Sequence, residues 1–298
     1  MEAERNTPKK STKPPEQPHA ADAAAGKKVQ PVAIYTLGPK GGVGKSTLAR
    51  LAIDAFDAAR LGVAIVQVDR SPALASLYPD RTCTIHVPSA QDMREDPLAA
   101  VRVFEPWEAR VPAIAGRHSY LVTDVGGGQN ARAFLDYIAR ARVDALLQSA
   151  DVRALAFLLL TPEPSAMTLS ADLADEFQKI HPHAEVIPVF NQRDGVFKFF
   201  PGSAAHKVYN ERIVPRTKAG RHLVMPAIAA GAWPVFEAGG MTFLQVAMAD
   251  ENDLVKKLGL SRAMAAALQG DVSAFLAVMW PRLSSLIGFS MEALHGKA

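Results

Sequence analysis

Short, largely apolar runs recur along the chain at Val32–Leu37, Val63–Val68, His118–Asp124, Leu155–Leu160 and Ala184–Phe190. None alternates strictly between apolar and polar positions, so each reads as a strand buried on both faces, as in a parallel sheet. Between them the apolar positions change to helical spacing. Leu48, Leu51, Ala52, Ala55, Phe56 and Ala59 mark one such face, and the segments 130–150 and 165–180 mark two more. Strand and helix alternating in this way predict a doubly wound α/β fold, with a mostly parallel sheet flanked by helices. One stretch carries no clear period. Residues 71–116 are broken by Pro79, Pro88, Pro97, Pro106 and Pro112, which leaves loops and a short helix around Leu98–Phe104. Two further helical patterns, Leu254–Leu268 and Val272–Leu294, close the chain, the second interrupted by Pro281. The expected division is a tail over 1–28, one α/β domain over 29–250, and a helical extension over 251–298 packed on that domain.

Composition changes this picture little. The chain has 298 residues, 49% hydrophobic and 21% charged, with no internal repeat. Its first 28 residues are proline-rich and carry six basic against four acidic residues, so they read as a disordered basic tail without the apolar core of a signal peptide. The remainder is close to neutral, with 27 basic and 26 acidic residues, which neither requires nor forbids a basic face for nucleic acid. A single cysteine, Cys83, excludes a disulfide framework or a cysteine-rich metal site within one chain and fits a reducing, cytoplasmic setting. No uninterrupted apolar run reaches membrane-spanning length.

The chemistry gathers at Gly38–Ala49, GPKGGVGKSTLA, between the first strand and the first helix. Residues without a Cβ (Gly41, Gly42, Gly44) let several backbone N–H groups converge around Val43 on a polyphosphate. The helix starting near Lys45 adds its unpaired N–H groups and its positive dipole end. Lys45 supplies a point charge for the β- and γ-phosphates, Ser46 a hydroxyl for Mg²⁺, and Thr47 completes the turn. Asp69 and Asp124 each end an apolar strand, where acidic groups meet such a site; Val125-Gly126-Gly127-Gly128 follows the second. Asn191 and Asp194, after a later strand, offer an amide and a carboxylate suited to the edge of a nucleobase, with adenine and guanine both open. His181-Pro182-His183 lacks a third metal ligand nearby and reads as a pair of polar side chains facing solvent. Phe197, Phe199 and Phe200 interleave with basic residues up to Arg221, a pattern that serves nucleic-acid stacking or, more commonly, a core with a solvated basic face.

The run KGGVGKS, with Lys40 ahead of the glycines, resembles the deviant Walker A motif of the ParA/MinD family of ATPases. The resemblance continues in order through Asp69-Arg70-Ser71-Pro72, Asp124 before glycines, Thr161-Pro162-Glu163, and Val224–Phe236 with its late proline, glycine and Pro-Val pattern. It implies a P-loop NTPase fold, ATP and Mg²⁺ as cofactors, and a homodimer formed on ATP binding, with Lys40 reaching the partner's phosphates. Lys40, Lys45, Asp69, Ser71 and Asp124 then carry catalysis, and Ser46, Asp69 and Asp124 the metal. The family's segment reads Asp-x-Asp-Pro. Aligning Pro72 makes Asp69 the first aspartate and puts Ser71 where the water-orienting second one stands, so slow hydrolysis is expected. A shifted register makes Asp69 the second aspartate and Gln67 the replaced first. The implied function is a switch ATPase in plasmid or chromosome partition or conjugative transfer, with nonspecific DNA and a cargo or activating protein as partners. A hydrolysis-poor regulator of a secretion or polysaccharide-synthesis assembly is the alternative. The last helix has an apolar face, but only Arg282 and Lys297 as basic residues, so stable membrane anchoring is not expected.

Overall fold

The computed structural model describes residues 30–69, 71–115, 119–229 and 231–291; the tail over 1–28 lies outside them. Among these residues, seven parallel strands form one sheet in the order β3-β2-β4-β1-β5-β6-β7. The strands are β1 (Val32–Leu37), β2 (Val63–Val68), β3 (Thr82–Ile85), β4 (Tyr120–Val125), β5 (Arg153–Leu160), β6 (Glu185–Asn191) and β7 (Leu223–Met225). The expected doubly wound architecture is present, with two strands more than the apolar runs announce. β3 and β7 have four and three residues and occupy the sheet edges, where position rather than pattern makes a strand.

Helix α1 (Lys45–Ala58) crosses from β1 to β2. The proline-broken stretch holds four short helices, α2 (Ala90–Glu95), α3 (Ala99–Arg102), α4 (Glu105–Glu108) and α5 (Arg110–Ala115). The segment expected as one helix over 130–150 is two, α6 (Gln129–Arg140) and α7 (Val143–Ser149), because Arg142 turns left-handed at φ 51°. α8 (Pro164–Ile180) links β5 to β6. α9 (Ala204–Val208) continues as a widened and then a tightened helical turn up to Gly220. After β7 come α10 (Ala232–Ala238), α11 (Phe243–Met248), α12 (Glu251–Leu258) and α13 (Arg262–Ile287). The expected helix boundaries at 268 and 272 are not observed. The break falls at Gly259–Ser261, where Ser261 caps Met264 N, and α13 runs unbroken through Gly270 and Pro281. Phe275, Leu276, Met279, Trp280 and Leu283 are all buried, and that packing offsets the backbone bond a proline removes.

Each sheet face carries its own core. On one face α1 and α10–α13 bury Phe56, Trp233, Phe236, Phe243 and Trp280; Trp280 Nε1 donates to the Leu51 carbonyl of α1 at 3.2 Å. On the other, Tyr35, Trp107, Phe134, Tyr137 and Phe177 form one aromatic group under α4–α8, with Trp107 Nε1 donating to Thr123 Oγ1 at 2.9 Å. By length and composition α13 could cross a membrane, with a mean hydropathy of 1.4 over a window of which 33% is buried. Counting uninterrupted apolar runs did not show this.

Asp54 on α1 is a buried exception to the apolar core. It accepts from the Tyr78 hydroxyl at 2.7 Å and from Leu244 N at 3.0 Å. Burial pushes its carboxyl from 3.8 up to about 6 against the pull of those hydrogen bonds. The protonated form is therefore favoured in the folded chain. Its contribution to stability is full below pH 3.8 and disappears as pH rises through about 6. At about 1.4 kcal/mol per unit this amounts to about 3 kcal/mol. Asp54→Asn keeps both hydrogen bonds if the Tyr78 hydroxyl turns to accept. Urea unfolding at a series of pH values should show the wild type losing that stability between pH 4 and 7 and the variant losing much less; parallel profiles would contradict it.

Candidate nucleotide site

All the chemistry converges at the C-terminal ends of β1, β2 and β4, where an open α/β sheet forms its crevice. Gly44 opens α1 with φ 98°, and α1 has neither a side-chain cap nor an acidic residue in its first turn, so its N-terminal N–H groups face the loop uncompensated. A Cβ on Gly44 would lie 2.6 Å from Asn191 Nδ2, which is where β6 meets the loop. Asn191 Nδ2 donates to the Val43 carbonyl at 2.9 Å. Its Oδ1 accepts from Arg193 N at 3.0 Å. Gly41 and Gly42 stand exposed at the crest of the loop.

Inside the loop Lys45 is 6% exposed and donates to the Lys40 carbonyl at 2.7 Å. Burial holds its ammonium below the usual lysine range, opposed by the charges of Asp124 and Asp69. Asp124 is buried on β4. It accepts from Ser46 Oγ at 2.6 Å and from Thr36 Oγ1 at 2.7 Å, Thr36 being its register partner on β1. Burial raises its carboxyl, and the Ser46 and Thr36 hydroxyls and Lys45 resist that rise. Thr36 carries no weight in the sequence pattern, because a threonine inside an apolar strand reads as an ordinary β-former.

Asp69 lies just past β2, half-buried, with its carboxylate against Gly126. Oδ1 accepts from Ser71 N at 3.2 Å and from Asn130 Nδ2 at 3.3 Å. A Cβ on Gly126 would meet Asp69 Oδ2 at 2.7 Å. One on Gly127 would meet the Lys40 carbonyl carbon at 2.7 Å and Gly41 N at 3.0 Å. The glycines after β4 therefore let three loops close on one another. Ser71 is exposed. Gln67, buried inside β2, turns away from phosphate chemistry and pins the next loop by accepting from Leu74 N at 2.6 Å and donating to the Ser71 carbonyl. The oxygen donors at Ser46, Asp124 and Asp69 are hard ligands of the kind Mg²⁺ prefers, so the residues present fit that ion.

A cavity of about 300 Å³ opens beside Gly44 and Thr47. Asn191, Pro226, Trp233, Glu237 and Phe275 contribute to its wall, a mixture of apolar surface and a few polar groups suited to a base. Asp194 is not part of this lining. Its carboxylate is taken up by the Arg193 guanidinium at 2.9 and 3.0 Å.

Lys40 is half-exposed. Its ammonium lies 3.1 Å from Glu163 Oε1, at the N-cap of α8, and 3.1 Å from Ser165 Oγ in its first turn. The Ser165 hydroxyl first, and then Lys40, hold the Glu163 carboxyl below its ordinary range. Three of the basic residues after β6 are neutralised. Arg212 pairs with Asp172 and Asp175, Arg216 with Asp175, and Arg221 with Glu185. Phe197, Phe199 and Tyr209 pack on one another and leave Phe200 at 84% exposed. His181 is buried, against the expectation that both histidines face solvent, and shares Asp144 with the exposed His183 at 2.5 and 2.7 Å. Among the described residues no group of three or more His, Cys, Asp or Glu side chains could hold a metal.

No family model matches the chain, and no curated protein matches it. Among solved structures it is similar to the septum site-determining protein MinD complexed with Mg-ADP from Pyrococcus horikoshii OT3. That alignment has 17% identity and a TM-score of 0.45 and covers 87% of this chain and 98% of that one. It is also similar to the cell division ATPase MinD of Pyrococcus furiosus, at 15% identity and a TM-score of 0.41, with 82% and 98% covered.

Proposed function

We propose that the chain is a ParA/MinD-type ATPase, a cytoplasmic Mg·ATP-dependent dimerising switch that acts in DNA partition or conjugative transfer. The observation that carries this reading is the cluster in which Lys45 is buried within its own glycine loop while Ser46 Oγ stands 2.6 Å from the Asp124 carboxylate. Bound Mg·ATP supplies the phosphoanhydride to be cleaved and a cation to neutralise its charge. The loop N–H groups and Lys45 hold the phosphates, and Ser46, Asp124 and Asp69 are the metal's oxygen ligands, direct or through water. Asp69 and Ser71 would orient the attacking water. Lys40 leaves Glu163 to reach the partner's nucleotide. Asn191 steadies the loop next to the base, and Arg193, which holds the Asp194 carboxylate, lines the same cavity.

The hydrolysis-poor regulator is supported by a different observation. Ser71 is exposed, and Asp69, the nearby carboxylate, is engaged by Asn130 and Ser71 N. Under the Pro72 register Ser71→Asp restores a carboxylate beside the attacking water. Phosphate release should then rise about a hundredfold, the low end of general-base contributions. An unchanged rate argues for the register in which Asp69 is the second aspartate.

The reading as a whole is tested by size-exclusion chromatography with and without Mg²⁺ and a slowly hydrolysed ATP analogue, followed by sedimentation with duplex DNA at low and high salt. Analogue-dependent dimerisation and salt-sensitive, ATP-dependent sedimentation support the partition switch. Dimerisation without DNA binding moves the reading to the regulator, and absence of nucleotide binding refutes both.

A further inference from the structure

Arg50 belongs to no phosphate-binding pattern, yet it sits one helical turn beyond Ser46 on α1 and is only 6% exposed. Its guanidinium reaches in two directions. Nη1 donates to the Glu237 carboxylate of α10, and Nη2 donates to the Ala73 carbonyl at 3.2 Å. Nε is buried without a partner, so those two contacts are what holds the cation in place. Glu237 and Trp233, one turn apart on α10, both line the cavity beside Gly44. Ala73 lies in the loop that begins at Ser71, directly after the segment carrying Asp69.

We propose that Arg50 is a positioning residue that clamps the base-side wall of the site, α10, to the Ser71–Ala75 loop, so that a ligand seated against α10 and the loop beside Asp69 move as one body. The kinetic part of this inference rests on the nucleotide reading above; the mechanical part does not.

The chemistry favours a clamp over simple packing. A cation on the apolar face of α1 is costly to bury, and an apolar side chain of similar volume is often as stable or more so. A guanidinium offers donors on separate nitrogens held in a fixed fork, whereas an ammonium carries its three donors on one freely rotating nitrogen. The loop is otherwise held from the strand side, where Gln67 donates to the Ser71 carbonyl and accepts from Leu74 N and Ala75 N at 2.6 and 3.4 Å. Arg50 is its tie to the helical layer. Because Glu237 remains partly open, with its side chain 47% exposed, this end of the clamp can respond to what enters the cavity.

The test uses the full-length chain as Arg50→Met, Arg50→Lys and Glu237→Gln, with folding checked by circular dichroism and thermal melting. Hydrogen exchange is followed at the amides of residues 73–77, with and without Mg²⁺ and a slowly hydrolysed ATP analogue. In Arg50→Met exchange there should rise about tenfold, the equivalent of one lost hydrogen bond, and the slowing caused by the analogue should vanish. Analogue affinity should stay within about threefold while kcat falls about tenfold or more with little change in KM, the signature of lost positioning. Arg50→Lys should restore loop protection only in part or not at all, because one rotating nitrogen lacks the rigid fork that Nη1 and Nη2 present to Glu237 and Ala73. If Arg50→Met does not fold, Glu237→Gln decides, with an expected rise in exchange of about threefold. Wild-type exchange in the folded variants overturns the clamp. A wild type that binds no nucleotide overturns the nucleotide reading instead, and the comparison of exchange without nucleotide still decides the clamp.

Discussion

Lys45→Ala loses nucleotide binding by about a hundredfold or more while the chain stays folded. Truncating one partner of a buried, hydrogen-bonded charge contact costs about 2–5 kcal/mol, and about 2.7 kcal/mol is already a hundredfold. The folded state itself should not suffer in proportion. Burial already depresses the Lys45 ammonium, so the cation is held in the loop against its preference for water. Removing it takes from Asp124 one of the groups that restrain its carboxyl, which should titrate higher still, while the hydroxyls of Ser46 and Thr36 remain. Isothermal titration with ATP and a thermal melt without it separate the two effects. An affinity within fivefold of the wild type would mean that phosphate does not sit in this loop.

Lys40→Ala abolishes the analogue-induced dimer and leaves nucleotide affinity within a few-fold. The Lys40 ammonium lies against Glu163 and Ser165 of its own chain, in an ion pair whose side chains are 42% and 56% exposed. Exposed pairs of this kind are weak and screened by salt, so the lysine can leave for a stronger anion. Analytical ultracentrifugation with Mg²⁺ and the analogue checks this, and persistence of the dimer in the variant refutes the crossing role. Glu163→Gln loosens the same pair from the other side and should favour the dimer at lower analogue concentration.

Much of this site could be read from the sequence because its chemistry is local. A glycine loop between a strand and a helix places Gly44, Lys45 and Ser46 within a few residues of one another, and a parallel sheet brings the ends of β2 and β4 to the same edge. Thr36, Arg50 and Asn130 were not legible, because each acts on a group that only the fold brings near. Thr36 meets Asp124 across 88 positions and Asn130 meets Asp69 across 61. Gln67 in an otherwise apolar strand and Arg50 on an apolar helix face were the visible irregularities. A buried polar side chain needs partners, so such irregularities mark a network even when its members cannot be named. The same limit explains the short edge strands and the α6–α7 break, which depend on sheet position and on one left-handed residue.

The hydrogen bond from Trp280 to the Leu51 carbonyl joins residues 229 positions apart. A ribosome adding about 5–20 residues per second takes about 10–50 seconds to travel between them. For that interval the nascent chain has made α1 and its phosphate loop but not the helix that covers them. The central strand is in the same position, since β1 must wait for both β4 and β5. Such long-range closure predicts slow refolding and an emerging chain that presents Phe56 and its neighbours to whatever chaperone is near.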